Sequence, residues 1–491
     1  MSASKLSRRA LIQVGLGAAA TTGLVSVAGV SAAKADWGDG PQRDADKFRS
    51  ALDSAYAFLE TMMDAYATGS TIRLSQSYAD QIGLLSSAYV YDNALAIMAY
   101  LLRGRGGDIA RARTLGDGLL YAQMHDPNFT DGRVRQAYFV NAADGNGAYV
   151  QLAGNPFWFT GSAVGDMAWS GMALAQLYRA TGEAKYLGTP NTGAIGLGNF
   201  IQTNFYDTRG PGGYNFGYDN AWPPNLLTYK STEHNIDCYA FFNMLARLTG
   251  NSGWLGNAQH ALAFVKALYN STGGFFWTGT GPDGASFSTD PTSNIPEDCQ
   301  TWSYLAMLDK SFQVSVDWAK TNLAVTDTPQ AYNSVLTGNV RFNGVTYATA
   351  PMRPGLVPVG NPTYCVIGQS DPYSPNPDPS SVWLEGCGHL AAALLTRRLS
   401  DQKDLDGFHG DVDTAFDLLD NIRSAQNQLG NGQTVGGKAL VDGQGVQAAT
   451  GNLNTGFGFS YKPFKHIGAT SWFAIAAQAG NPLRLGFGRG W

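Results

Sequence analysis

The feature that restricts this chain most is an alternation of twelve helical stretches, in which an amphipathic segment is followed each time by a more apolar one. The 3.6-residue period gives an amphipathic helix over about 43–66, then the apolar YDNALAIMAYLLRG starting near Asp92. DIARARTLGDGLLYAQMH precedes GDMAWSGMALAQLYRATG from Asp166, and a helix around 193–204 precedes EHNIDCYAFFNMLARLTG from Glu233. GWLGNAQHALAFVKALYN precedes EDCQTWSYLAML from Glu297, and KSFQVSVDWAKTNL precedes VWLEGCGHLAAALLTRRL around Glu385. GDVDTAFDLLDNIRSAQNQ and HIGATSWFAIAAQAG, from His466, complete the series. A helix that is apolar all round must be buried, whereas one with a single stripe faces water on its other side. Six inner helices ringed by six outer ones satisfy both conditions, with the last closing the circle beside the first.

The apolar helices start at 92, 166, 233, 297, 385 and 466, so the unit repeats every 64 to 88 residues. Loops from an outer to an inner helix are long, about 124–165, 205–232, 270–296, 323–382 and 429–465, while the return loops are mostly short. LAQLYRATGEAKYL (Leu174 to Leu187) and MLARLTGNSGWLGNAQHALAFV (Met244 to Val265) are similar to hairpin corners of the six-hairpin glycosidase superfamily. Over roughly 43–482 the layout resembles that superfamily, with no single family indicated. The resemblance implies an all-α fold, an (α/α)6 toroid. It also implies saccharide chemistry, mostly hydrolysis with inversion. Elimination by a polysaccharide lyase, epimerisation and non-catalytic glycan binding are the alternatives on the same outline.

The N-terminus is set apart from the fold. Arg8 and Arg9 precede a weakly apolar run, and Ala33-Lys34-Ala35 suits removal just before Asp36. This resembles a twin-arginine export signal over residues 1–35, which implies the Tat translocation machinery as a partner and a periplasmic or extracellular destination. Residues 36–491 then form one catalytic toroid. No later segment offers about 18 unbroken apolar residues, so no stable membrane anchor is expected. Removing Lys5, Arg8, Arg9 and Lys34 takes the net charge from −5 to −9. Such a surface attracts neither nucleic acid nor anionic membranes. A monomer acting on a carbohydrate is expected.

In a ring of this kind the inner helices run the same way, so their N-termini and the long loops share one face. The sequence places Asp92, Asp166, Glu233 with His234 and Asp237, Glu297 with Asp298, Glu385 with His389, and His466 there. One acid in a first helical turn is explained by the macrodipole, worth about 0.3–1 kcal/mol. Five are harder to explain, because unpaired carboxylates in a crowded cavity are costly. Glycoside hydrolysis needs a proton donor and a second carboxylate to activate water or attack carbon. Glu233 is the candidate acid and Asp298 or Glu297 the base, with Asp92, Asp166 and Glu385 in reserve. A helix N-terminus lowers a carboxyl pKa, whereas a general acid needs it raised, and neighbouring acids are the expected source of the rise.

Asp237 lies one turn beyond Glu233 on the same face, placed to orient His234 or a sugar hydroxyl. His234, Asn235 and Tyr239 would serve the elimination alternative, although an acidic ring repels a polyuronate. Trp158, Tyr218, Trp222, Trp302 and Trp383 are candidate stacking surfaces for sugar faces, with Glu385 and His389 beside Trp383. Asn343-Gly344 between alternating residues predicts a hairpin, a flap over the cavity, within Gly338 to Ala350. The Pro-rich run from Ser370 to Ser381 predicts a stiff rim.

Cys238, Cys299, Cys365 and Cys387 lack metal-site spacing, so no zinc is expected and buried free thiols are, with one disulfide open after export. No nucleotide, metalloprotease or nucleophile-elbow motif occurs. No cofactor is expected. Asp411 and Asp413 lack the rest of an EF-hand, and calcium in a carboxylate-rich loop stays open.

Overall fold

The computed structural model describes residues 47–67, 73–141, 144, 161–290, 293–350, 352, 377–400, 409–457 and 459–488. Six helix pairs follow in chain order: α1 (Arg49–Asp64) and α2 (Val90–Arg103), α3 (Asp108–His125) and α4 (Val164–Thr181), α5 (Gly193–Phe205) and α6 (Thr232–Thr249). Then come α7 (Gly253–Ala267) and α8 (Asp298–Met307), α9 (Gln313–Asn322) and α10 (Leu384–Ser400), α11 (His409–Gln428) and α12 (Ile467–Ala476). The even-numbered helices form a closed inner ring, each packed against the next and α12 against α2. Every odd-numbered helix packs on the inner helix before it, and α1 packs on α12. This is the all-α toroid that the alternation predicts.

Local chemistry sets the helix ends. Gly104, Gly182 and Gly250 follow α2, α4 and α6 in the left-handed conformation, each returning its N–H to the carbonyl four residues back. Leu308 adopts the same conformation after α8 with φ 52°, where a side chain makes it costlier. Inside the ring, Gly171 lets α4 meet α6, since a Cβ there would lie 2.2 Å from Phe241 Cζ.

The toroid axis is filled with aromatic rings. Trp169 on α4, Trp302 on α8 and Trp472 on α12 meet pairwise at 5.0–6.1 Å between centroids, and all three are buried. They lie about a turn inside the helix starts, as a floor beneath the layer that those starts form.

The long outer-to-inner loops contain short strands. Phe342–Val345 does not fold back at Asn343-Gly344 as predicted; it pairs antiparallel with Ala324–Asp327. Packing overrides the turn signal. A Cβ at Gly344 would lie 2.4 Å from Cys387 Sγ, and the strand packs on α10 and α11. It is therefore not a flap. Cys238, Cys299 and Cys387 are free and buried. Cys365, Trp158 and the rim from Ser370 to 376 lie outside the described residues.

Candidate active site

The N-termini of the inner helices meet in one polar layer over the tryptophan floor, and the layer has two unlike halves. In the first, carboxylates alternate with imidazoles. His466 Nε2 lies 3.0 Å from Asp92 Oδ1, and Nδ1 lies 3.5 Å from Glu385 Oε2. The His466 ring also caps α12, accepting the Ala469 N–H at Nδ1. His389 Nδ1 lies 3.0 Å from Glu297 Oε2, and its Nε2 is 3.7 Å from Glu385 Oε1. The order is Asp92, His466, Glu385, His389, Glu297, with every member buried. Gly468 permits the crowding: a Cβ there would lie 2.6 Å from His466 Cε1 and 2.7 Å from Asp92 Oδ1.

Pairing fixes the charges in this half. Burial works to lower the His389 pKa, but Glu297 and Glu385 outweigh it and push it up to about 9. Burial likewise opposes charge on His466, and Asp92 more than compensates, so its pKa is raised. For Glu385 burial acts upward, yet His389, His466 and the Tyr91 hydroxyl together hold it below the usual carboxylate value. Tyr91 donates to Glu385 Oε1 at 2.7 Å while accepting from Trp472 Nε1 at 2.9 Å.

The second half is acid without base. Asp166, Glu233, Asp237 and Asp298 form no ion pair with any cation among the described residues. Burial, followed by the charge of Asp92, pushes Asp166 up to about 8. Burial and then Glu297 push Asp298 up to about 7, although its Oδ1 accepts the Cys299 N–H at 2.6 Å. Glu233 stands well above an ordinary carboxyl because of burial first, then Asp298, Asp237 and Asp166. Asp237 is raised by burial and Asp298; the Trp169 indole lies beside it, and neither carboxyl oxygen meets a donor in hydrogen-bond geometry. Acids this crowded cannot all ionise, so protons stay in the cluster. Asp166 and Glu233 keep part of their surface accessible despite their depth, as wall groups of a recess do. The helix-start effect that would lower Glu233 is opposed by burial first and by the neighbouring acids second.

Not every predicted residue belongs to this site. Glu297 is fully buried and hydrogen-bonded to His389, so it is a partner for that ring and not a free base. Asn235 is given to the fold. Its Oδ1 accepts the Tyr214 N–H at 2.8 Å, and its Nδ2 donates to the Tyr214 and Ser231 carbonyls. Tyr218 packs on Phe205 and under the Arg133 guanidinium, which occupies its ring. Trp222 is 55% exposed, with its ring 6.0 Å from Phe129 in the loop after α3. Trp302 belongs to the floor, and Trp383 walls the site with its ring edge-on to His389 at 4.9 Å.

His234 is neutral, since burial depresses its pKa to about 4, and its Nδ1 finds no protein partner. A Cβ at Gly165 would lie 2.9 Å from His234 Nε2 and 3.1 Å from Asp237 Oδ2, so that glycine lets both approach α4. Sequence reasoning missed Tyr91, Tyr347 and Tyr461. Tyr347 feels Asp298 and Glu233, and Tyr461 feels Glu385, Asp92 and Glu233. Tyr91 could have been found as the neighbour of Asp92; the other two sit on loops without periodicity. Among the described residues no three His, Cys, Asp or Glu side chains are placed to hold a metal ion.

Comparison with solved structures gives the same architecture. A D-mannose isomerase superposes with a TM-score of 0.56 at 12% identity, over 88% of this chain and 96% of that one. A cellobiose 2-epimerase from Bacillus thermoamylovorans gives 0.54 at 11%, over 89% and 98%. A glycosidase in complex with glucose gives 0.53 at 11%, over 89% and 98%. The fold shared with these proteins is the closed ring of helix pairs described above. Identities this low carry the fold and not the reaction of any of these proteins. No protein-family profile matches the sequence, and no curated protein does.

Proposed function

We propose that this six-hairpin toroid is an exported enzyme that hydrolyses glycosidic bonds of an uncharged oligosaccharide or polysaccharide. Glu233 is the proton donor to the leaving oxygen, and Asp298 is the base that activates water. One observation carries this reading: Glu233 keeps part of its surface accessible while burial, then Asp298, Asp237 and Asp166, raise its carboxyl well above the ordinary range. Burial and Glu297 push Asp298 up to about 7, close enough to neutrality for it to serve as the ionised partner of the pair. The charged half of the ring supplies rigidity. Its histidines are buried between carboxylates. The twin-arginine-like leader supports export.

Elimination of a uronide fits less well. Asn235 is used by the backbone, and Arg133 and Arg135 pair with Asp131 and Asp126. Epimerisation is the second reading, favoured by His234, a neutral imidazole with an unpartnered Nδ1 beside Asp237. Two of the fold neighbours named above are also a sugar isomerase and a sugar epimerase. A glycan panel separates the readings. Hydrolysis releases reducing ends, elimination gives absorbance near 235 nm, and epimerisation in deuterated water incorporates deuterium without new ends. Deuterium incorporation with no chain cleavage would overturn the hydrolase assignment.

A further inference from the structure

The loop hairpin Leu453–Asn454 and Ser460–Tyr461 lies beside the polar layer and carries two exposed phenylalanines, Phe457 and Phe459, at 40% and 38% exposure. The hairpin is pinned. Thr455 donates through N–H and Oγ1 to the Phe459 carbonyl, and the Thr455 carbonyl accepts Asn294 Nδ2 at 2.7 Å. Asn294 Oδ1 in turn accepts the Ala350 N–H at 2.8 Å. The tip is thereby tied to the segment that delivers Glu297 and Asp298. Fixed, exposed aromatic rings mark a recognition surface more often than an ordinary scatter of apolar residues does.

These rings pack on an aromatic cluster that reaches the polar layer. Tyr347 lies 5.7 Å from Phe459, 6.1 Å from Phe457 and 4.7 Å from Trp383. Tyr461 is 5.7 Å from Phe459 and 6.4 Å from His466. A packed run of contacting rings, mostly buried, therefore links His389 and His466 to the hairpin tip. It starts at the acids and ends in solvent.

We infer that Phe457 and Phe459 form an outer subsite that stacks a further uncharged sugar unit of a chain whose scissile bond lies at Glu233. The inference rests on the saccharide reading above and deepens it: the substrate class is a glycan longer than a disaccharide. Flat rings bind apolar sugar faces with little ordering cost because they are already fixed. The acids deeper in the recess disfavour a polyuronate in the same groove.

The test uses the full chain with gluco-, manno- and galacto-oligosaccharides of two to six units. The readout is kcat/KM, or affinity for any oligosaccharide that binds uncleaved. The wild type should improve with chain length, and the Phe457→Ala/Phe459→Ala variant should lose ~10-fold on the longer substrates with disaccharide turnover unchanged. Phe457→Leu/Phe459→Leu, which keeps apolar bulk without a flat ring, should lose the length advantage too; this guards against misfolding of the alanine variant. A length advantage intact in both variants overturns the subsite and leaves the hydrolase reading standing. A wild type that neither cleaves nor binds any oligosaccharide overturns both. A wild-type dimer that becomes monomeric in the variants, with no change in length dependence, assigns the face to a second copy and overturns the subsite.

Discussion

His389 holds Glu297 on one ring nitrogen and Glu385 on the other, with Nδ1 at 3.0 Å and Nε2 at 3.7 Å from the two carboxylates. That contact draws the line between the two halves of the ring. Glu297 and Asp298 are adjacent in sequence, yet one is neutralised by a buried imidazolium while the other joins the acids that share protons. A single helix start thus serves both the scaffold and the proposed chemistry.

Replacing His389 by glutamine should leave the buried Glu297 without a counter-charge and Glu385 with His466 alone, a loss on the order of 3–5 kcal/mol. The folded pKa of about 9 lies above the ordinary 6.5, so the stability from this group is complete below pH 6.5 and is lost as pH rises through about 9. Thermal denaturation across pH should show that decline in the wild type and its absence in His389→Gln, with a lower Tm at pH 7. Superimposable curves would remove the charge assignment.

Asp237 is one source of the raised Glu233 pKa. In Asp237→Asn that negative charge is gone, so Glu233 should release its proton at lower pH. The alkaline limb of kcat/KM should shift in the acid direction, as read from a pH–rate profile of the free enzyme. An unmoved limb would mean that Glu233 does not set it.

Asn235→Ala should behave differently from any change at the acids. It strands the Tyr214 N–H and two carbonyls that the amide satisfies. Each such loss costs about 1–3 kcal/mol. A lower Tm with unchanged turnover per folded molecule is the outcome that matches a scaffold role.

The contrast between Asn235 and Glu233 also shows what was legible beforehand. Both were visible as polar residues at the start of an apolar helix, and periodicity placed that start correctly. Whether a side chain turns to the recess or to a neighbouring loop depends on where Tyr214 packs, and that is set by contacts distant in sequence. The same holds for Tyr218, whose ring is taken by Arg133, and for Gly344, whose turn signal yields to Cys387. Periodicity carried the toroid and the acid layer. The loop tyrosines Tyr347 and Tyr461 left no such trace.

A second acid pair lies away from the recess. Asp327 accepts Thr450 Oγ1 at 2.6 Å and Ser334 Oγ at 2.7 Å, while Asp378 accepts the Ser380 N–H at 2.8 Å. Thr450 Oγ1 also accepts the Val382 N–H at 2.9 Å, two residues before α10 begins. Burial and Asp327 push Asp378 up to about 7 from 3.8, so the folded state keeps a proton that the unfolded chain loses. Stability should therefore fall as pH rises from about 4 to about 7. Asp378→Asn imitates the protonated acid, and its Tm should exceed the wild type's at pH 8 while matching it below pH 4. Equal Tm values at pH 8 would contradict the shared proton.

The central claim is that a protonated Glu233 donates to the leaving oxygen, and Glu233→Gln tests it most directly. Glutamine keeps the shape and neutrality of the protonated acid, so the Tm should hold. Turnover of the best glycan, measured as reducing ends per folded molecule, should drop ~10²–10⁴-fold. Wild-type turnover in Glu233→Gln would contradict the account.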